Sequence, residues 1–219
     1  MTSVGVGWVE GDEDHLADLM RGEVINVAAG LGAVPCELVR SDKTDPPLTA
    51  GVFRQRGVNG GPREADDIDL LVLAGHGSGA GGVMIGPDAA LTSRTAAFGG
   101  RMRCAVFVSC AILEGDPDSE TVSPFGWRLV FDGLHMLIAP RTFVSASPGR
   151  GARFARHLAD GLSFVDAWTR ACWESGSPES DWRVLVRGRA IDVPELLGET
   201  LLDPLPDAAG AEFQLVDLG

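Results

Sequence analysis

No apolar run in this 219-residue chain approaches the about 18–20 consecutive residues that a membrane-spanning helix needs. The N-terminal stretch MTSVGVGWVEGDED has no basic segment and no long apolar one, so no secretory signal is expected and the cytoplasm is the expected compartment. Tyrosine is absent, and lysine occurs once, as Lys43, which leaves 17 of the 18 basic residues as arginine. With abundant Ala, Gly and Asp, that bias suggests a GC-rich bacterial genome. The net charge of −13 disfavours a nucleic-acid backbone or an anionic membrane as the main partner, because both repel an acidic surface. A small-molecule or peptide substrate, neutral or cationic, is the expected partner; oligomeric state is not indicated. Only four cysteines are present, Cys36, Cys104, Cys110 and Cys172, and none forms a CxxC pair. The histidines, His15, His76, His135 and His157, lack zinc-ligand spacing. Free thiols and no metal or organic cofactor are expected. Repeats and low-complexity tracts are also missing.

What is present is an alternation of strands and helices. Ser3–Val9 reads as an edge strand, and residues 14–31 as a helix carrying Leu16, Leu19, Met20, Val24, Ile25, Val27 and Ala28 at helical spacing. Residues 41–66 are rich in Pro, Gly and charge and read as a long irregular connection. Ile68–Ala74 and Ala105–Ser109 are nearly continuous apolar runs, the pattern of strands buried on both faces. Leu134–Ala139 is a third such strand, Thr142–Ser145 a possible short one, and Trp182–Val186 a last one. Between them, Gly151–Ala159 and Ser163–Glu174 are amphipathic helices, the second with Ser163 as N-cap and Gly176 as stop. The pattern predicts an α/β fold, a three-layer sandwich with a mostly parallel sheet flanked by helices. One domain over residues 1–190 is expected, with 191–219 as a C-terminal extension or tail.

In such sheets functional groups collect beyond the carboxyl ends of the strands. Gly75-His76-Gly77 follows the first buried strand, and Cys110 follows the second. If those strands are neighbours, an imidazole and a thiol share one crevice, and the imidazole activates a thiol that is mostly protonated on its own. The backbone N–H groups of Gly77 and Cys110 are candidate oxyanion donors. Gly75, Ser78, Ser109, Glu114, Trp127 and His135 are possible pocket residues. For His135 a structural role is favoured over a site role, and the tryptophans read as core or pocket wall. His15 and His157 read as surface residues, and Cys36, Cys104 and Cys172 as inert. Glu114, Asp116, Asp118 and Glu120 read as a solvated acidic loop. Gly79–Gly82 is not followed by the Lys-Ser/Thr of a phosphate loop and reads as a mobile rim of the site.

LLVLAGHG (Leu70–Gly77) followed by AVFVSC (Ala105–Cys110) resembles the caspase-fold, clan CD cysteine peptidases, which include caspases, gingipains, legumain, clostripain and separase. A closer resemblance is to a bacterial caspase-like family of unassigned function. It is carried by Ala74–Gly77, Ser109–Cys110, Gly126-Trp127 with Phe131–His135, and Ala167-Trp168, and it spans about residues 67–190. The resemblance implies His76 as catalytic histidine, Cys110 as nucleophile and Gly77 as an oxyanion donor. The chain departs from the caspases in reading VSCAILEG where they carry QACxG, and it shows neither alignable aspartate-reading arginines nor an interdomain cleavage site. Aspartate specificity is therefore not expected. The reading is a cysteine hydrolase forming an acyl-enzyme on an amide, ester or thioester. The alternatives are a natural-product cyclase or acyltransferase on the same fold, and a non-catalytic binding module.

Overall fold

The computed structural model describes residues 4–8, 14–31, 68–78, 82–86, 89–93, 97–115, 124–177, 182–203, 206 and 211–218. Strands β1 (Val4–Trp8), β2 (Leu70–Ala74), β7 (Cys104–Val108), β9 (Met136–Pro140), β10 (Trp182–Arg187) and β11 (Phe213–Asp217) form one six-stranded sheet, in that spatial order. The first four run parallel, and β10 and β11 each pair antiparallel with the strand before them. Between β2 and β7 lie β3 (Gly77–Ser78), β4 (Gly82–Gly86) and β5 (Ala89–Leu91), a small antiparallel sheet, and β6 (Phe98–Gly99), which pairs with β8 (Phe131–Asp132).

Alternate residues of the main strands enter opposite cores, because strand side chains point to the two faces in turn. Leu70, Val72, Ala74, Val106, Val108, Ile138, Val184 and Val186 meet helices α1 (Asp14–Gly30), α2 (Pro148–Ala159) and α3 (Phe164–Glu174). Leu71, Leu73, Ala105, Phe107, Leu137, Ala139 and Leu185 face a second core. That core is closed by β4 to β6 and by a 3-10 helix, Pro124–Val130. Continuous apolar runs are thus strands with no solvent face, as the expected mostly parallel sheet requires. The three long described helices share one face. Among the described residues, the other face is covered by short strands and the 3-10 helix. Among the described residues no helix is long and apolar enough to cross a membrane.

Ser163 caps α3, its Oγ accepting the Asp166 N–H at 3.0 Å, and Gly176 follows the helix with a φ of +69°. Two expectations are corrected. Residues 142–145 form no strand; they run as an irregular loop whose Thr142 carbonyl accepts the Ala111 N–H at 3.0 Å. Beyond residue 190 a short helix α4 (Val193–Leu196) follows, Leu201 enters the helical core, and β11 extends the sheet. His157 is buried on α2, its Nε2 3.2 Å from Glu174 Oε1, because it falls on the inward stripe beside Phe154 and Leu158. The 41–66 connection lies outside the described residues.

Candidate active site

Parallel pairing aligns Ala74 with Val108, and the bond from the Gly75 N–H to the Val108 carbonyl, 3.1 Å, continues the contact past the strand ends. Counting on two residues along each chain sets His76 beside Cys110. Neighbouring strands are spaced by about 4.8 Å, so the two loops leave the sheet side by side. His76 is exposed, Gly77 half-buried and Cys110 half-buried. The Gly77 main chain lies directly against that of Cys110: a Cβ at position 77 would collide with the Cys110 carbonyl oxygen and come within 3.2 Å of its Cα. Only glycine permits that approach.

Gly77 is also the start of the small sheet. The Met84 N–H donates to the His76 carbonyl at 2.8 Å, and Gly77 pairs with Val83 next along. In an antiparallel ladder the residue after such a bond turns its N–H away from the partner strand. The Gly77 N–H is thereby left out of the β3–β4 ladder.

The Cys110 turn is fastened from several sides. Ala111 adopts a φ of +59°, a region that non-glycine residues enter rarely and that needs support from its surroundings. The Ala111 N–H bonds the Thr142 carbonyl, the Leu113 N–H bonds the Pro140 carbonyl at 3.0 Å, and Trp127 Nε1 donates to the Ile112 carbonyl at 3.0 Å. Arg183 Nη1 donates to the Leu113 and Gly115 carbonyls. Cys110 Sγ accepts the Val144 N–H at 3.4 Å and donates to the Val144 carbonyl at 3.5 Å. Ala111 and Val144 are site residues that sequence reading missed, since nothing in their type or spacing marks them.

The other described thiols have a different setting. Cys104 and Cys172 are buried. Burial raises the Cys104 thiol well above its usual range, with Glu199 adding to the shift, and raises the Cys172 thiol to about 12. Neither is a nucleophile near neutral pH. Cys36 lies outside the described residues.

Not every candidate joins the site. His135 lies away from His76 and Cys110. It precedes β9, and the Cys104–Met136 pairing puts it at the amino end of the sheet, whereas His76 and Cys110 leave the carboxyl end. Its Nδ1 lies 2.7 Å from Glu199 Oε2, in a buried cluster with Arg103 and Asp69. Trp127 is likewise no pocket wall; it is buried in the second core between Phe107 and the Ile112 carbonyl and props the Cys110 turn from below. Gly75 and Ser109 are buried at the strand ends, and Glu114 is exposed beyond Leu113. Ser78 belongs to β3, with its side chain outside the described residues, as are Gly79 to Gly81 of the expected rim and Asp116 to Glu120. Among the described residues no group of three His, Cys, Asp or Glu is placed to hold a metal ion.

Comparison with curated proteins finds no match. Ten solved chains match, among them two proteases. One is a secreted C11 cysteine protease from Bacteroides thetaiotaomicron in complex with an irreversible peptide inhibitor, at 12% identity and a TM-score of 0.47; the alignment covers 84% of this chain and 66% of that one. The other, also a secreted C11 cysteine protease from Bacteroides thetaiotaomicron, named iotapain, aligns at 12% identity and a TM-score of 0.43, over 84% of this chain and 65% of that one. The chain thus spans just under two thirds of the length of each. A family model matches residues 53–190, which include both strand ends of the site. On that match, the chain belongs to the family described as Domain of unknown function (DUF6345).

Proposed function

We propose that this chain is a cysteine hydrolase that forms an acyl-enzyme at Cys110 on an amide, ester or thioester. The observation that carries the reading is the in-register end of β2 and β7, with Gly77 packed on the Cys110 backbone. His76 takes the Cys110 proton, and the thiolate attacks the substrate carbonyl carbon. The carbonyl oxygen becomes an oxyanion that the N–H groups of Gly77 and Cys110 stabilise. Collapse of that adduct breaks the bond to the leaving group, which takes the proton from the His76 imidazolium. His76 then deprotonates a water, which attacks the thioester, and the Cys110 thiolate leaves. The half-buried Cys110, against buried Cys104 and Cys172, supports the choice of nucleophile.

p-Nitrophenyl acetate tests the reading without knowledge of the natural substrate. The expected result is a burst of about one equivalent of p-nitrophenolate per chain, with a single acetyl group on Cys110 and no burst from Cys110→Ala. A burst that survives Cys110→Ala contradicts the assignment.

A further inference from the structure

The Cys110 thiol is held by a loop with little of its own to hold it. Residues 141–147 join β9 to α2 without regular structure, and Phe143 at their centre is 87% exposed. Yet Val144 within this loop is the residue that meets Cys110 Sγ from both its N–H and its carbonyl. The loop's beginning is tied to the Cys110 turn through Thr142. Its end is tied to the helical layer. Arg150 Nη2 donates to the Ser145 carbonyl at 2.9 Å, and the Ser147 N–H donates to Glu23 Oε2 at 2.7 Å.

Glu23 on α1 and Arg150 on α2 form a bidentate pair, 2.6 Å from Nε to Oε1 and 3.0 Å from Nη2 to Oε2, and both side chains are 0% exposed. The Arg150 guanidinium lies against the indoles of Trp168 and Trp182, 5.3 Å from each ring centre. The helices cross closely here, since a Cβ at Gly151 would collide with the Glu23 carbonyl. Burial pushes the Glu23 carboxyl above its usual range, against the pull of Arg150. Among the described residues, the Cys172 thiol from α3 also faces the pair. A buried ion pair is seldom the most stable way to join two helices; apolar side chains of similar volume often do as well or better. What this pair adds is two bonds to the backbone at positions 145 and 147, which apolar side chains cannot make.

We propose that Glu23 and Arg150 are positioning residues for the Cys110 thiol, acting through the backbone of residues 141–147. The inference rests on the reading of Cys110 as the reacting group and names what orients it. Through the loop, the pair holds both the N–H and the carbonyl of Val144 against the sulfur and so fixes where the thiol sits.

The test is the pH–rate profile of iodoacetamide alkylation at Cys110, read by peptide mass spectrometry on the full chain. The double variant Glu23→Leu with Arg150→Met keeps side-chain volume and leaves no buried charge unpaired. We expect its rate of alkylation at Cys110 to change about fivefold at pH 7, the size of one hydrogen bond at the sulfur, with the profile displaced from the native one. A folded double variant whose profile superimposes on the native one overturns the proposal. Hydrogen exchange on the native chain gives a second reading that does not depend on the variant folding. The Ser147 amide should exchange at least about tenfold more slowly than an unstructured amide; exchange at the unstructured rate also overturns the proposal. The reading of Cys110 as nucleophile fails separately: absence of the acetyl burst with the alkylation profile still shifted refutes catalysis and leaves the positioning intact.

Discussion

A methyl group at position 77 has no space to occupy, because the Cys110 carbonyl already fills it. Gly77→Ala must therefore push the two loops apart. We expect acylation by p-nitrophenyl acetate to fall about 100-fold, the scale of a small misplacement of reacting groups, while urea unfolding registers a loss of about 1–3 kcal/mol. Cys172 gives a second prediction at this scale. Its folded-state pKa, about 12, lies above the ordinary thiol value of 9.0, so the folded chain holds this proton more tightly than the unfolded chain. The stability it contributes is complete below pH 9 and is lost as pH rises toward 12. Urea unfolding at pH 8 and pH 10.5 should show a drop that Cys172→Ala reduces. His76, Gly77 and Cys110 were legible in the sequence because each follows an uninterrupted apolar strand. His135 stands at the amino end of its apolar run, and the structural role favoured for it agrees with its buried contact to Glu199. Arg150 and Glu23 left a fainter signal, as charges among the inward residues of amphipathic helices, Glu23 next to Met20, Val24 and Val27.

Elements with no solvent face were the easiest to read. β2, β7 and β9 appear as apolar runs since both their faces are covered, and α3 announces itself by its cap at Ser163. β11 was missed for the opposite reason. It is an edge strand, half-buried along most of its length, in a Pro- and acid-rich segment that hides its pattern. The 142–145 loop was read as a strand because Thr142, Phe143 and Val144 favour extended backbone; its backbone bonds go to the Cys110 turn and to Arg150 instead of to a neighbouring strand. Truncation after Asp203 distinguishes a tail from a structural strand. It removes Phe213 and Leu215 from the second core, where Phe213 meets Phe131 edge to face, and uncovers β10. A loss of about 3 kcal/mol is expected from those two side chains, measured as a lower urea midpoint; an unchanged midpoint shows that β11 contributes nothing.

At the scale of the whole molecule, the sheet separates two polar assemblies. At its amino end, Asp69, Arg103, His135 and Glu199 bind the strand starts to the segment near residue 200, with Arg103 Nη1 and Nη2 donating to the Thr200 and Leu201 carbonyls. At its carboxyl end, the His76 and Cys110 loops emerge together, backed by the 141–147 loop and, behind it, by α1 and α2. Charge is buried at the first end, whereas His76 is exposed and Cys110 half-buried at the second. The account therefore depends on His76 acting on Cys110. The most direct measurement is the rate at which Cys110 is acetylated by p-nitrophenyl acetate at pH 7, mapped by peptide mass spectrometry in the native chain and in His76→Ala. The account predicts a single acetyl group at Cys110 and a rate reduced about 100-fold or more in His76→Ala, the usual contribution of a general base. Acetylation of Cys110 in His76→Ala at the native rate contradicts it.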